Sequence, residues 1–197
     1  MCRLWLLMMI FVSCLTHASV NDDLYKALSM QKAFSADFSQ QVTDSKHKII
    51  ATSKGSVAFD RLTPGFLMHT TDPDESVIMY KKDGIYFYDA FLNQLTISPV
   101  QAFLNSPFAL ILISDKKELD DYSIKYKDGS YTLIPKKKNA DIKSFSLRFD
   151  DNVIKQVQAH MTSDDISIYD FINIKDSVDI SALDYAFPDD AEIADDR

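Results

Sequence analysis

The sequence predicts a mainly β (α+β) fold built on one antiparallel sheet, and three observations carry that prediction. Apolar and polar residues alternate at period two through most of the chain after residue 33, short turn signals join the alternating runs, and helical spacing is confined to the start and one central stretch. Strands joined by such short turns run antiparallel, because a parallel crossover takes about a dozen residues or more.

Asn21-Asp22-Asp23 precedes Leu24, Ala27 and Leu28, so acidic first-turn residues stand ahead of i, i+3, i+4 apolar spacing and predict a short amphipathic helix over Asp22–Met30. From Phe34 the period changes. Phe34, Ala36 and Phe38 alternate with Ser35, Asp37 and Ser39; Val57 and Phe59 follow Gly55; Phe66 and Met68 follow Pro64. Val77–Tyr80 and Ile85–Tyr88 flank Lys82-Asp83-Gly84, and Ser123–Lys127 and Tyr131–Ile134 flank Asp128-Gly129, both hairpin signals. Phe145, Leu147 and Phe149 lead through Asp150-Asp151-Asn152 into Val153–Met161, and Ser163-Asp164-Asp165 leads into Ile166–Ile174. Between these halves, Ser98–Leu104 and Asn105–Leu112 each offer a cap, an early proline and then apolar residues, which predicts two short helices inserted in mid-sheet. The second is apolar nearly all round and has to be covered.

The 197 residues are 46% hydrophobic and 25% charged with only 4 Gly and 6 Pro, which excludes a disordered, collagenous or disulfide-framework chain. A net charge of −8 has the wrong sign for a general nucleic-acid or anionic-lipid binder, and the one basic cluster is Lys136-Lys137-Lys138. Arg3, the apolar run Leu4–Val12 and the small-residue exit to Ala18 read as a secretory signal over residues 1–18, leaving residues 19–197 as one domain. Removing it takes away both Cys, the Trp and a single positive charge, so the balance becomes −9. Phe11-Val12-Ser13-Cys14 also resembles a lipobox, so lipidation of Cys14 stands as the alternative to cleavage after Ala18.

Catalytic patterns are missing: no G-x-S-x-G, G-x-G-x-x-G, Walker loop or H-E-x-x-H occurs, and His47, His69 and His160 lack ligand-like spacing. The sequence therefore predicts no metal site and no cofactor. The acidic clusters Asp72-Pro73-Asp74-Glu75 and Asp189-Asp190 read as turns and a solvated tail. What remains is aromatic surplus, since 12 of the 13 Phe and all nine Tyr follow the signal. If a long antiparallel sheet curls into a partial barrel, the short helices can lid an apolar cavity of lipid size.

Ala33-Phe34-Ser35-Ala36-Asp37-Phe38-Ser39-Gln40-Gln41, Asp72-Pro73-Asp74-Glu75-Ser76, Gly84-Ile85-Tyr86-Phe87-Tyr88-Asp89 and Asn105-Ser106-Pro107-Phe108-Ala109-Leu110-Ile111 resemble the periplasmic outer-membrane lipoprotein carrier family, LolA, in that family's order and near its spacing. Similarity extends from Asp22 to the region of Phe187. The resemblance implies an unclosed antiparallel β-barrel with a lid of three short α-helices over an apolar cavity. It also implies a monomeric periplasmic carrier that takes triacylated lipoproteins from the inner-membrane transporter LolCDE and delivers them to the outer-membrane receptor LolB. The alternatives are a LolB-like anchored receptor and a sensor module of similar fold; an enzyme is the remote one.

On this reading Phe34, Phe38, Phe66, Met68, Ile78, Phe87 and Phe91 line the sheet side of the cavity, and Leu28, Phe103, Phe108 and Leu112 line the lid. A one-residue slip in register would invert the strand residues. The family carries Arg-Pro followed by Phe and Trp on an early strand, the Arg latching the lid. Here Arg61 and Phe66 match, with one additional residue between them and Met68 in place of the Trp. The resemblance makes Arg61 the lid latch, against the plain reading of a surface arginine at a turn, and puts Phe66 at the cavity edge that meets the transporter.

Overall fold

The computed structural model describes residues 19–63, 65–112, 115–137 and 141–197. The expected signal, residues 1–18 with Cys14, lies outside the described residues, as do Pro64 and Lys138. Helix α1 (Val20–Met30) is capped by Ser19, just ahead of the expected acidic group. The Asp22 N–H donates to Ser19 Oγ at 3.2 Å and the Ser19 N–H reaches the Asp22 carboxylate at 3.4 Å, a reciprocal cap that satisfies two otherwise orphaned groups. Leu24, Ala27 and Leu28 form its buried face.

Twelve strands among the described residues form one sheet. They are β1 (Ala33–Thr43), β2 (Ile49–Asp60), β3 (Gly65–Asp72), β4 (Ser76–Lys81), β5 (Gly84–Asp89), β6 (Gln94–Ser98), β7 (Tyr122–Lys127), β8 (Ser130–Pro135), β9 (Ile142–Asp150), β10 (Val153–Met161), β11 (Ile166–Lys175) and β12 (Glu192–Asp195). Their order is β12-β6-β5-β4-β3-β2-β1-β11-β10-β9-β8-β7, so two antiparallel meanders meet where β1 pairs β11, and the sheet stays unclosed. Positive φ at Asp128 and Gly129 (51° and 78°) and at Asp151 and Asn152 (48° and 62°) gives the tight hairpin turns the sequence announces. The one parallel pair, β12 beside β6, was not expected.

Topology places the lid. β6 and β7 lie toward opposite edges, so the segment that joins them has to cross a face of the sheet. It carries η1 (Val100–Asn105), η2 (Pro107–Leu112) and η3 (Lys116–Asp121), all 3-10 helices, so the lid has one α-helix and three tighter turns where three α-helices were expected. The reason is length and proline. Pro107 has no N–H to give a preceding turn, and six-residue pieces are too short to sustain an α-helix.

Both faces of β3–β6 are apolar, which explains the unbroken run Ile85-Tyr86-Phe87-Tyr88. On the lid face, Phe34, Phe59, Phe66, Tyr80 and Ile85 form one cross-strand row and Ala36, Val57, Met68, Ile78 and Phe87 the next. On the opposite face Leu67, Val77, Met79, Tyr88, Leu95 and Ile97 form a second core, covered by Tyr185 and Phe187 of the C-terminal segment. That segment is also tied by charge and hydrogen bonds. Tyr185 donates to Glu75 at 3.0 Å, Glu75 meets His69 at 2.9 Å, Lys81 meets Asp184 at 2.9 Å, and Arg197 bonds Asp83 and Asp195 at 3.0 and 2.7 Å. Glu75, expected as a bare turn carboxylate, is thus a tether, and hydrogen bonds from His69 and then Tyr185 hold its pKa below the usual value.

Candidate functional site

The lid face of the sheet and the lid itself meet in one aromatic cluster. Phe66 on β3 lies with its ring centroid 5.2 Å from Phe103 of η1 and 5.3 Å from Phe108 of η2. Phe108 continues the chain to Tyr169 on β11 at 4.9 Å, edge to face, and Tyr169 to Phe38 at 6.0 Å. One lid ring therefore touches β3 and β11, three strand positions apart, and the sheet wraps around the lid. Beneath it Phe34 stacks on Phe59 at 5.3 Å and meets Phe171 edge-on at the same distance. The lid's own side chains occupy the apolar space expected beneath it.

Of the expected sheet residues, Phe34, Phe38, Phe66 and Met68 are buried here, and Ile78 packs against them half-buried. Leu28, Phe103 and Phe108 are buried from the lid side, and Leu112 is half-buried against the same cluster. Three expectations need correcting. Phe91 sits in the β5–β6 turn, off the strands, and is 82% exposed; Phe87 has the right parity but is 40% exposed at the end of its row, where the lid does not cover it. Phe66 is also not at an edge: it is fully buried under two lid rings, so anything that meets it has to lift the lid first.

Residues that the sequence reading missed are Leu110 and Ile111 of η2, Leu119 of η3, Leu24 of α1, and Tyr169 and Phe171 of β11. The apolar character of Leu110 and Ile111 was visible. What hid their role was the 3-10 geometry, which turns a different set of residues inward from an α-helix of the same sequence.

Arg61 stands where β2 ends. Its Nη2 donates to the main-chain carbonyl of Ile111 on η2, and its guanidinium carbon lies 5.8 Å from the centre of the Phe59 ring. The site is buried enough that desolvation lowers the guanidinium pKa to about 10, partly offset by Tyr25 and Glu118. This is a cation held inside the lid–sheet interface, which excludes the plain surface reading of Arg61. The additional residue before Phe66 falls in the β2–β3 turn, where it does not disturb the register of Phe59 opposite Phe66. A second tie joins the lid to itself: Lys116 of η3 pairs with Asp22 in the first turn of α1.

Comparison with known proteins bears on what this arrangement serves. The family model for "Outer membrane lipoprotein carrier protein LolA" matches residues 29–187. The outer-membrane lipoprotein carrier protein of Actinobacillus pleuropneumoniae serotype 3 is 32% identical over 178 residues, 89% of this chain and 83% of that protein. Its counterpart in Shewanella sediminis is 29% identical over 193 residues, 95% and 91% of the two chains. Among solved structures, an uncharacterized conserved protein from Thermus thermophilus shares the fold with a TM-score of 0.57 at 10% identity, over 88% of this chain and 97% of that one. A chain of the Pseudomonas aeruginosa MucA/MucB complex does so at 0.53 and 11% identity, over 85% and 62%. The match along most of its length places this chain in the outer-membrane lipoprotein carrier family, LolA, whose members are carriers and not enzymes.

Proposed function

We propose that this protein carries triacylated lipoproteins across the periplasm, accepting them from the inner-membrane transporter LolCDE and handing them to the outer-membrane receptor LolB. The observation that supports it is Phe66 covered by Phe103 and Phe108, in a lid whose Ile111 carbonyl accepts from Arg61; on this reading the lid is a removable cover over an apolar trough and Arg61 its latch. Acyl chains take the place of the lid rings, so Phe34, Phe38, Phe66 and Met68 form the floor and wall they meet once the lid rises, with Leu28, Phe103, Phe108 and Leu112 closing over them. On this reading residues 1–18 are a leader removed on export, and residues 19–197 act as one unit from the Ser19 cap onward.

Magnitudes fit such a cycle. A sixteen-carbon chain gains about 12 kcal/mol on leaving water, at about 0.8 kcal/mol per CH₂, and so does not leave a membrane unaided. Five buried lid side chains, Phe103, Phe108, Leu110, Ile111 and Leu119, hold the lid down with about 1.5–3 kcal/mol each. Moving a chain from membrane to trough exchanges one apolar medium for another, while lifting the lid costs about what it buries. Loading is therefore uphill and needs the transporter's energy; release is assisted by the lid closing again.

The test is reconstitution. Proteoliposomes bearing LolCDE and a triacylated lipoprotein should release the lipoprotein into solution with this protein only when ATP is supplied, and the soluble complex should pass its cargo to liposomes bearing LolB. A lipoprotein that stays membrane-bound with protein and ATP both present overturns the reading.

A further inference from the structure

Three neighbouring strands change character within one residue pair of each other on the lid face: Gln40 stands opposite Ser53 and Tyr169, and Ser167 one step further, opposite Val42. Along β1 the inward residues run Phe34, Ala36, Phe38 and then Gln40; along β2 they run Phe59, Val57, Gly55 and then Ser53; along β11 they run Phe171, Tyr169 and then Ser167. Phe34, Ala36, Phe38, Val57, Phe59 and Phe171 are buried, whereas Gly55, Tyr169, Gln40, Ser53 and Ser167 are half-buried. The polar groups that follow the buried wall are bonded into one cluster. Gln40 Nε2 donates to Ser167 Oγ and to Tyr169 Oη, both at 2.8 Å, and Ser53 Oγ donates to Gln40 Oε1 at 2.6 Å. Tyr169 belongs to both zones, with its ring under Phe108 and its hydroxyl in the cluster.

The four side chains bring five hydrogens on nitrogen or oxygen, two from the amide and one from each hydroxyl. The three bonds through Gln40 use three of them and a contact between the Ser167 and Tyr169 hydroxyls can use a fourth, so at least one is left whichever way the Gln40 amide is turned. The cluster thus offers a donor at the point where the apolar wall ends. A lipid tail has no use for it. A carbonyl oxygen at the head of an acyl chain does, since burying it unpaired is unfavourable.

We propose that Gln40, Ser53, Ser167 and Tyr169 form a polar subsite for the ester carbonyls of the glyceryl group that joins the acyl chains to the lipoprotein's first residue. This rests on the carrier reading and adds a register to it: the chains lie along Phe38, Phe66 and Phe34 under the lid, and their carbonyl heads stop at Gln40. Chain depth is then set by hydrogen bonding and not by chain length alone. The polypeptide leaves the trough beyond the cluster, where β1 and β2 run out to the exposed Ile49 and Ile50.

The test compares two synthetic peptides that begin with an N-palmitoyl cysteine carrying two sixteen-carbon chains on its glyceryl group, one ester-linked and one ether-linked, in competition with a fluorescent fatty-acid probe. The wild-type protein should bind the ester peptide about three- to tenfold more tightly, the worth of one or two hydrogen bonds to neutral acceptors. The combined variant Gln40→Leu/Ser53→Ala/Ser167→Ala/Tyr169→Phe removes every donor of the cluster and should lose that preference, binding both peptides alike, and its thermal transition reports whether it is folded. Equal binding of ester and ether peptides by the wild type overturns the subsite while leaving the carrier reading intact. Binding of neither peptide overturns both.

Discussion

Arg61 and Ile111 stand 50 residues apart in sequence, and the guanidinium of the first donates to the carbonyl oxygen of the second across the lid–sheet interface. The bond ties η2 to the end of β2, next to the row in which Phe59 faces Phe66. Removing it should favour the raised lid without altering either apolar wall. Because the apparent affinity of a ligand falls with the fraction of protein able to accept it, loosening the latch should tighten binding. A hydrogen bond from a charged donor is worth about 1.5–3 kcal/mol, so Arg61→Leu should raise the apparent affinity for a fluorescent fatty acid by about tenfold or more and slow its release. Weaker binding by a folded Arg61→Leu would show that Arg61 shapes the trough and does not latch it.

Phe108→Glu should act in the opposite direction. A carboxylate cannot take the ring's place against Phe66 and Tyr169 without burying a charge, so the lid would rise but present a polar wall to any chain below it. Fatty-acid affinity should fall at least about tenfold, while far-UV circular dichroism keeps its strand signature because the substituted residue lies off the sheet. Undiminished binding would remove Phe108 from the site.

Gly55 is required for a steric reason. It stands opposite Phe38, and a Cβ added there would lie 2.0 Å from the main-chain oxygen of His69 on β3, next to a break in the β2–β3 register. Backbone cannot yield as a side-chain tip can. Gly55→Ala should therefore lower stability by about 1–3 kcal/mol, the usual effect of overpacking, measurable as a reduced urea midpoint. An unchanged midpoint would mean that β2 and β3 separate there at no cost.

Acid should release the C-terminal segment from the outer face. Hydrogen bonds from His69 and Tyr185 lower the Glu75 pKa from 4.5, and Arg197 lowers that of Asp195 from 3.8 to about 2. A carboxylate whose folded value is depressed contributes stability above its unfolded value and loses it as pH falls through the folded one. The tether should be intact above pH 4.5 and weaken progressively toward pH 2. Pepsin cleavage beside Tyr185 and Phe187 should accelerate over that interval, and Glu75→Gln should show part of the acceleration already at its upper end. Cleavage that is independent of pH, after correction for pepsin's own profile, would count against the tether.

Much of the sheet was legible because a half-buried strand writes its pleat directly into the sequence: Phe34-Ala36-Phe38 and Phe145-Leu147-Phe149 needed no tertiary information. Asp128-Gly129 and Asp151-Asn152 announced their turns for an equally local reason, since those residues tolerate positive φ. Contacts set elsewhere in the chain were not legible. Phe87 alternates correctly and yet stands partly open, because lid coverage depends on where η1 lies and not on β5 itself. Tyr185 and Phe187 had no place assigned in the sequence; only the fold shows that the outer face of β3–β6 is apolar and has to be covered. Arg61 was found through a resemblance, and its burial came from η2 folding onto it. Gln40, Ser53 and Ser167 were not singled out, because their proximity on three strands is a matter of register and register is invisible in one sequence.

The strand order leaves the two margins of the sheet unequal. At one margin β12 lies parallel to β6 and fills its free hydrogen-bonding side. At the other, β7 ends the sheet with no further strand beside it among the described residues and with Lys125, Tyr126 and Lys127 exposed. Lysines on an open margin discourage another chain from adding itself there as a thirteenth strand. For a member of a lipoprotein carrier family, this guards against a kind of capture that the trough does not govern: a polypeptide held at the sheet margin by its backbone.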